Sequence, residues 1–327
     1  MADRPVWIDE ADVVRVLTMG DAIDVLDAAY RLQSRGSASN MRRAHLREGE
    51  AILHAVGGAI GDQRVAGTKT WIHTPGGASP LLIVFDLDNG GVRAVIEAFA
   101  MGQMRTAATS GLATRYLARQ DAGTLAVLGT GKQSVAQAQA IVCERPITKI
   151  RLFGRDPSRR AACASRIRDA LGVEVTEHAT VADTVAGADV ITAITRAAEP
   201  ILSAEMLEPG QHINAVGSIV PSKREVSADL VGRCDLVVAD SVPQARDDAG
   251  ELRAAVDAGL FHWDSLHSLA SVIAGDAADG RGGGDAITLF KAVGIGVSDV
   301  ALGNELVRRV TASDTAPNTR PTTVRTP

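Results

Sequence analysis

The sequence has few aromatic residues, few cysteines and no long apolar run. Aromatic residues make up 3% of the 327 residues, and there are 3 cysteines. Cys143, Cys163 and Cys234 are odd in number and far apart, which predicts reduced, inert thiols in a cytoplasmic protein and no cysteine metal site. No apolar stretch approaches the ~20 residues that a membrane helix needs, so we expect no contact with a membrane. The first ten residues include acids and lack an apolar core, so we expect no signal peptide.

The charge balance is mildly acidic, with 34 Lys and Arg against 39 Asp and Glu and a formal net charge of −5. The basic residues form no block, so we expect no nucleic-acid partner. Hydrophobic residues make up 46% and charged residues 22%, which is ordinary for a globular chain and excludes a disordered one. The 32 glycines, with so few aromatic residues, suit an α/β protein whose helices pack closely on a parallel sheet.

The apolar pattern changes near residue 120, and a chain of this length predicts two domains. Before that point, residues 11–36 show helical spacing, residues 42–96 show short apolar stretches separated by glycine-rich turns, and an Ala-rich helix spans residues 104–119. From Leu125 onward, strands and helices alternate, which is typical of a doubly wound parallel sheet.

The predicted organisation has three parts. A Rossmann domain is expected over residues 121–286. A second α+β domain, for substrate binding and dimerisation, covers residues 1–120 and is completed by residues 287–312. A last helix over Ile287–Val310 is expected to return the chain to that domain, and residues 313–327, rich in Thr and Pro, are expected to be disordered.

A glycine turn joins an apolar strand to an Ala-rich helix, with Gly129, Gly131 and Ser134 at the three positions of the G-x-G-x-x-G pattern. The first glycine permits a tight turn, and the second lets the backbone approach a pyrophosphate. The helix N-terminus offers unpaired N–H groups and a positive dipole end to the phosphates. Ser134 departs from the pattern, and an ordinary strand-to-helix turn is the alternative. The context favours a dinucleotide site.

The end of the next strand bears on the choice of cofactor. A site for NAD usually has an acid here to hold the ribose 2′-hydroxyl. Gly154 stands at that position, with Arg155 and Arg159 beside it, and a guanidinium suits a 2′-phosphate. NADP(H) is therefore favoured. NAD(H) stays possible because Asp156 is close to the same position.

Seven motifs in order along the chain resemble the ornithine cyclodeaminase/mu-crystallin family, from about residue 5 to residue 312. The motifs are Lys69 within Gly67–Trp71, the run Met104–Arg119, the turn Gly129–Gln133, Ala188–Ile191, His212–Gly217, Ala239–Ser241 with Gln244 and Ala245, and Leu289–Gly294 with Asp299. The resemblance implies a homodimer that binds NAD(P) and works on α-amino acids or their imines. The step shared by such enzymes is hydride transfer at the α-carbon.

The resemblance also implies roles for three basic residues. Lys69 and Arg105 would meet the nitrogen and the carboxylate of the substrate, and Arg43 would be a second carboxylate ligand, with Arg42 one position away in register. A guanidinium holds a carboxylate in two hydrogen bonds, and a lysine among apolar residues can have a lowered pKa and exchange a proton. Without the resemblance, Lys69 would be interpreted as a solvated strand residue.

The residues expected to line the cofactor follow from the resemblance, together with the glycine turn and the strand end described above. They are Thr106, Gly129, Thr130, Gly131, Gln133, Gly154, Arg155, Thr195, Val216 and Gly217. No metal site is expected, because the histidines and cysteines lack metal-ligand spacing.

One position departs from the cyclodeaminase pattern. Ile219 stands where cyclodeaminases have the acid used in cyclisation, and an isoleucine cannot exchange a proton. This favours an oxidoreductase that reduces imino acids or oxidises amino acids. Two alternatives stay open, an ornithine-type cyclodeaminase that uses bound NAD⁺ and releases ammonia, and a non-catalytic NADPH-binding protein like mu-crystallin. Glu97 is a possible replacement acid, although an ordinary polar residue at a strand end is the simpler interpretation.

Overall fold

The computed structural model describes residues 4–275 and 283–314, which form two β-sheets and the helices around them. The predicted tail over residues 313–327 lies outside the described residues, except for the last two residues of the final helix. The loop at residues 276–282 lies outside them as well.

The first sheet is mostly antiparallel. Its strands within the described residues are β1 (Val6–Ile8), β2 (Ala38–Asn40), β3 (Ala44–Glu48), β4 (Ala51–Ile60), β5 (Val65–His73), β6 (Leu81–Asp86) and β7 (Val92–Glu97). They lie in the order β1-β7-β6-β5-β4-β2, and β3 also pairs with β4. Two of the glycine-rich turns predicted between residues 42 and 96, at residues 75–77 and 89–91, do separate strands. The third prediction is wrong, because Gly57 and Gly58 lie inside β4 and pair with β5.

The second sheet is parallel. Its strands are β8 (Thr124–Leu128), β9 (Lys149–Phe153), β10 (Glu174–His178), β11 (Val190–Ala193), β12 (His212–Ala215), β13 (Leu236–Ala239), β14 (Leu266–Ser268) and β15 (Thr288–Lys291). They lie in the order β10-β9-β8-β11-β12-β15-β13-β14. The chain builds outward from β8 to β10 and then crosses back to β11, so the strand order reverses between β8 and β11. Ligands of doubly wound sheets bind at such a switch point. The predicted fold class is confirmed.

Helices connect and cover the two sheets. They are α1 (Glu10–Val16), α2 (Met19–Ser34), α3 (Phe99–Leu117), α4 (Ser134–Glu144), α5 (Pro157–Leu171), α6 (Val181–Val185), α7 (Ala228–Arg233), α8 (Val242–Asp248), α9 (Gly250–Asp257), α10 (Leu269–Ala274) and α11 (Gly296–Asp314). Within the described part of the chain, none of them is long and apolar enough to cross a membrane.

The helix predicted over residues 11–36 is wrong as a single element, because α1 and α2 are separate. Thr18 starts the second helix with a capping box: its hydroxyl accepts from the Asp21 N–H at 3.1 Å, and the Asp21 carboxylate accepts from the Thr18 N–H at 2.9 Å. Apolar residues keep helical spacing on both sides of this break, so the periodicity did not reveal it.

The helix predicted over Ile287–Val310 is wrong in its first turns. Thr288–Lys291 is strand β15, which lies between β12 and β13 in the parallel sheet. A short buried apolar run fits a strand or a helix equally well. The helix that packs on the first sheet begins at Gly296. We therefore propose to move the domain boundary from residue 287 to the segment between Lys291 and Gly296.

Helix α3 lies between the two halves of the molecule. It packs against α2 and α4 and also against β12 and β15. Ala107, Ala108 and Gly111 are fully buried or nearly so, and their small size lets neighbouring elements approach closely. The N-terminal part of the same helix carries Arg105 and Thr106, which are thereby held at the junction of the two sheets.

Candidate active site

A cleft of about 940 Å³ lies at the junction of the two sheets. It brings together most of the residues that the sequence singled out. Those that line it are Arg43, Lys69, Arg105, Thr106, Thr130, Gly131, Gln133, Arg155, Thr195, Val216 and Gly217. Gly129 and Gly154 do not line the cleft, and they shape the turns that do.

A buried ion cluster forms the floor of the cleft on the side of the first sheet. Lys69 on β5 donates from Nζ to Asp299 Oδ1 at 2.6 Å, and Arg105 on α3 donates from Nε to the same oxygen at 3.1 Å. Lys69 is 5% exposed and Asp299 is fully buried. Among the described residues, Asp299 Oδ2 has no hydrogen-bond partner. The cluster therefore holds two cations for one carboxylate.

Burial and charge together set the protonation of this cluster. Burial, together with the nearby Arg105 charge, lowers the pKa of Lys69 from 10.5 to about 8, although Asp299 opposes the shift. Burial alone would raise the pKa of Asp299, but the charges of Arg105 and Lys69 hold it below its ordinary value. A lysine with such a pKa can give and take a proton near neutral pH.

Arg43 and Arg42, the two candidates for a second carboxylate ligand, have different surroundings. Arg43 donates from Nη2 to the carbonyls of Val293 and Gly294 and from Nη1 to Asp248 at 3.2 Å, and it lines the cleft. The Arg42 side chain is 83% exposed and pairs with Asp247 at 2.7 Å. Only Arg43 is therefore positioned to meet a ligand in the cleft.

A buried acid that the sequence interpretation did not assign supports this arginine. Asp240, at the end of β13, accepts from the N–H groups of Val293 at 2.9 Å and Gly294 at 2.7 Å. It thereby fixes the turn whose carbonyls receive Arg43. An acid directly after an apolar strand was the available signal, because a carboxylate at the end of a buried strand needs donors from a neighbouring turn.

An aromatic pair forms another wall. His54 and Trp71, opposite each other on β4 and β5, stack with ring centroids 4.7 Å apart. The Lys69 ammonium lies 5.5 Å from the centre of the Trp71 ring. Burial, with the charge of Arg43 nearby, lowers the pKa of His54, so this histidine is neutral at pH 7. The wall offers an uncharged surface to a substrate side chain.

The glycine turn has the shape that a dinucleotide needs. Gly129 has φ +128°, a conformation that favours glycine, and its N–H donates to Phe153 O at 2.9 Å. The hydroxyl of Ser134 donates to Gly129 O at 2.9 Å, which explains the serine at the third position. A Cβ added at Gly131 would meet no atom within 4 Å. The backbone therefore borders open space at the start of α4, where a pyrophosphate would fit.

Packing in the turn after β9 accounts for the glycine at position 154. A Cβ at this position would overlap the Thr130 side chain, so an acid here would require that side chain to move. Asp156 caps α5, since its carboxylate accepts from the Arg159 N–H at 2.9 Å. Arg155 and Arg159 both line the cleft. This end of the cleft is therefore basic.

The other end of the cleft lies at the carboxyl ends of β11 and β12. Thr195, Val216 and Gly217 line it, and so does Ile219, which is 43% exposed. Glu97 does not replace the missing acid: its carboxylate accepts from Trp7 Nε1 at 3.3 Å and from the N–H at the start of α1 at 3.2 Å. It serves to anchor that helix.

The fold and the cleft define a protein of the Rossmann class whose cleft is lined by mostly buried basic side chains. A profile of the ornithine cyclodeaminase/mu-crystallin family matches residues 5–313, and the chain belongs to this family.

Relatives with known names are similar over most of the chain. Delta(1)-pyrroline-2-carboxylate reductase of Bacillus cereus is 35% identical over 230 residues, which is 70% of each chain. The structure of a probable ornithine cyclodeaminase from Bordetella pertussis is 30% identical, with a TM-score of 0.89 over 95% of this chain and 98% of that one. The iminosuccinate reductase of Paracoccus denitrificans, solved with NAD⁺, is 27% identical, with a TM-score of 0.87 over 95% and 97%.

Proposed function

We propose that this chain reduces the C=N bond of a small α-imino acid with a nicotinamide cofactor, or catalyses the reverse oxidation of an amino acid. It is an NAD(P)-dependent oxidoreductase acting on imino and amino acids, like the two reductases among the relatives described above. The observation that carries the proposal is the shared cleft, in which the Lys69–Asp299–Arg105 cluster and the glycine turn face one cavity.

The arginines are proposed to hold the substrate carboxylate. Arg105 binds Asp299 through Nε, which leaves its terminal amino groups for a carboxylate. Arg43 lies beside the same cavity: a Cβ added at Gly294 would lie 3.2 Å from Arg105 Nη1 and 3.4 Å from Arg43 Nη2. Two guanidinium groups around one point fix an α-carboxylate, and so fix the α-carbon beside it. Since the side chains of Arg43, Lys69 and Arg105 are mostly buried, the attraction is stronger than at a surface.

Lys69 is proposed to supply the proton. When bound, the reduced cofactor supplies a hydride to the imine carbon. Lys69 Nζ gives a proton to the imine nitrogen, so that a C–H and an N–H bond form as the C=N π bond is lost. The lysine is left neutral and regains its proton from water. Asp299 orients Nζ and, by accepting its hydrogen bond, favours the charged form that donates.

A substrate panel tests this function. Cyclic and acyclic α-imino acids are offered with NADPH or NADH, and both cofactor absorbance and ammonia are measured. We expect one mole of reduced cofactor consumed per mole of imine reduced. Ammonia released from ornithine with no net change in cofactor would indicate a cyclodeaminase, and tight cofactor binding without turnover on any imine would indicate a binding protein. Ile219 speaks against the cyclodeaminase because it lines the cleft without a proton to exchange.

NADPH is proposed as the preferred cofactor. The support is that Arg155 and Arg159 line the cleft while the nearby Asp156 is occupied as a helix cap. The Paracoccus relative was solved with NAD⁺, so the preference must be measured. We expect a higher kcat/KM with NADPH, and we expect Arg155→Ala to lower it at least ~10-fold without affecting NADH, on the scale of one charged phosphate contact. Arg166→Ala, an exposed change on α5, the helix that follows Arg155, is the control. A better kcat/KM with NADH would contradict the preference.

A homodimer is proposed, and the exposed face of the first sheet supports it. Helix α11 packs across one face, on β4, β5 and β6. The opposite face carries apolar residues in register across the strands. Leu46, Leu53 and Ile72 form one such row, and they are 66%, 41% and 51% exposed. An apolar sheet face of this kind needs a covering partner, and a second copy of the chain would provide it.

A further inference from the structure

A buried carboxylate outside the ion cluster joins two turns of the cleft. Glu225, between β12 and α7, is fully buried. Its Oε1 accepts from the N–H of Thr195 and from the Thr195 hydroxyl at 2.8 Å. Its Oε2 accepts from the N–H groups of Gly217 at 2.6 Å and Ser218 at 3.2 Å. One side chain therefore ties together the backbone just after β11 and just after β12.

The hydrogen bonds to Glu225 indicate that its carboxylate is ionised. All four are donated to Glu225, and three come from backbone N–H groups that cannot accept. Burial raises the pKa of Glu225, while the Thr195 and Gly217 donors and the charge of Lys291 oppose that shift. A protonated carboxyl would have to give up one acceptor position, so the full set of contacts is made by the ionised form.

A second layer of buried charged side chains, Glu251 and Lys291, lies next to Glu225. Its backbone N–H donates to Glu251 Oε1 at 3.3 Å, and Lys291 donates from Nζ to the same oxygen at 3.2 Å and to the carbonyl of Ser218. Glu225, Glu251 and Lys291 are each fully buried. Lys291, the cation of this layer, belongs to β15, the last strand along the described part of the chain, which lies between β12 and β13 in the sheet. Buried charges keep such positions only when they are paired, which makes the layer rigid.

The two turns that Glu225 joins belong to the proposed cofactor site. Thr195 and Gly217 both line the cleft, beyond the carboxyl ends of neighbouring parallel strands, where a dinucleotide lies in folds of this type. A Cβ added at Gly217 would overlap the Thr195 backbone and lie 2.6 Å from Glu225 Oε1. The turns are therefore in contact, and the carboxylate sets their separation.

We infer that Glu225 is a positioning residue for the cofactor, because it fixes the turns after β11 and β12 in their binding conformation before the cofactor arrives. The inference rests on the proposed function, since it assumes that the cleft takes a nicotinamide dinucleotide. Without the carboxylate, those turns would have to be ordered on binding, and the cost would appear as lost affinity.

Glu225→Gln tests the inference, because glutamine keeps the volume and loses one acceptor oxygen. The dissociation constants of NADPH and NADH are measured by fluorescence titration, well below the unfolding temperature. We expect both constants to rise at least ~10-fold and the amides of Thr195, Gly217 and Ser218 to exchange faster in the cofactor-free protein. Glu199→Gln makes the same change on an 81% exposed side chain in the loop after Thr195, and it should leave both constants within about twofold.

A purely structural role predicts a different result. The variant would then melt at a lower temperature but bind both cofactors as the wild type does, and this outcome would overturn the inference.

If Glu225→Gln does not fold, amide hydrogen exchange in the wild-type protein provides a second test. In the absence of cofactor, we expect these three amides to exchange at least ~10²-fold more slowly than unstructured peptide. Unprotected amides there would contradict a preformed site without any variant. A wild-type protein that binds neither NADPH nor NADH would instead contradict the proposed function, so the two failures can be told apart.

Discussion

The reactivity proposed for Lys69 comes from its surroundings. A solvated lysine has a pKa near 10.5 and is a poor proton donor at neutral pH. Here burial lowers the pKa to about 8, and Asp299 prevents a larger fall. The single carboxylate does two tasks, since it also holds Arg105. In the proposed mechanism, the position of the substrate carboxylate and the protonation of the donor are thereby linked through one side chain.

Replacement of Lys69 by methionine tests its role. Lys69→Met keeps an apolar stem of similar length and removes both the charge and the transferable proton. We expect the variant to fold and to bind the cofactor normally, and we expect kcat to fall at least ~10²-fold, the scale for loss of a general acid–base group. Lys149→Met, at an exposed ion pair with Glu174, is the control. Near wild-type turnover would remove Lys69 from the mechanism, and the proton would then have to come from a bound water.

The pH profile follows from the same pKa. The reduction needs the protonated lysine, so kcat/KM for the imino acid should decline as pH rises through about 8. The oxidation of the amino acid needs the neutral lysine, so its rate should increase over the same range. Initial rates in both directions between pH 6 and about 10 check the prediction. Parallel profiles for the two directions would show that Lys69 does not titrate in the reaction.

At the scale of elements, the strand–turn–helix unit of β8 and α4 is prepared for a phosphate. The turn tolerates no side chain at Gly129, where a Cβ would lie 2.5 Å from Ile194 O, whereas Gly131 borders open space. Gly129 is therefore required by the packing of the fold, whereas Gly131 leaves space for the ligand.

Gly131→Val separates these two uses of glycine. The variant should fold with an unfolding temperature within a few degrees of the wild type, because a Cβ at this position would meet no atom within 4 Å. It should bind NADPH and NADH at least ~10²-fold more weakly, because the branched side chain occupies the space of the pyrophosphate. Gly283→Val, also in open space but away from the cleft, is the matched control. Unchanged affinity in a folded Gly131→Val protein would place the dinucleotide elsewhere.

At the scale of the whole molecule, the described residues cover the first sheet on one face only. The apolar core beneath α11 includes Val65, Leu82, Val84 and Ile96, all fully buried. On the opposite face, Trp7 is 59% exposed and lies in register with Val95. Exposed apolar area of this extent is uncommon on a monomer.

A charge on that face should prevent association. Leu53→Asp places a carboxylate between Leu46 and Ile72 in the apolar row, where burial against a second copy would be costly. We expect the wild type to sediment as a dimer and the variant as a monomer. Leu260→Asp, at another exposed leucine outside the sheet, should leave the dimer intact. A monomeric wild type would rule out the homodimer.

Local patterns in the sequence were enough for several features. Strand–helix alternation predicted the parallel sheet, and a strand, two glycines and an Ala-rich helix predicted the turn at Gly129 and Gly131. These features depend on residues close together in the chain, whose conformational preferences act before any tertiary contact forms. The motif around Lys69 pointed to a reactive lysine through its resemblance to a family.

Only the tertiary structure decided the features that join distant parts of the chain. Asp299 follows Lys69 by 230 residues, and no local pattern states that the two share a hydrogen bond. The insertion of β15 between β12 and β13 and the pairing of Glu225 with Thr195 and Gly217 are of the same kind. The physical reason is that burial and long-range contact determine whether a charged group is solvated, paired or reactive, and both are properties of the folded chain.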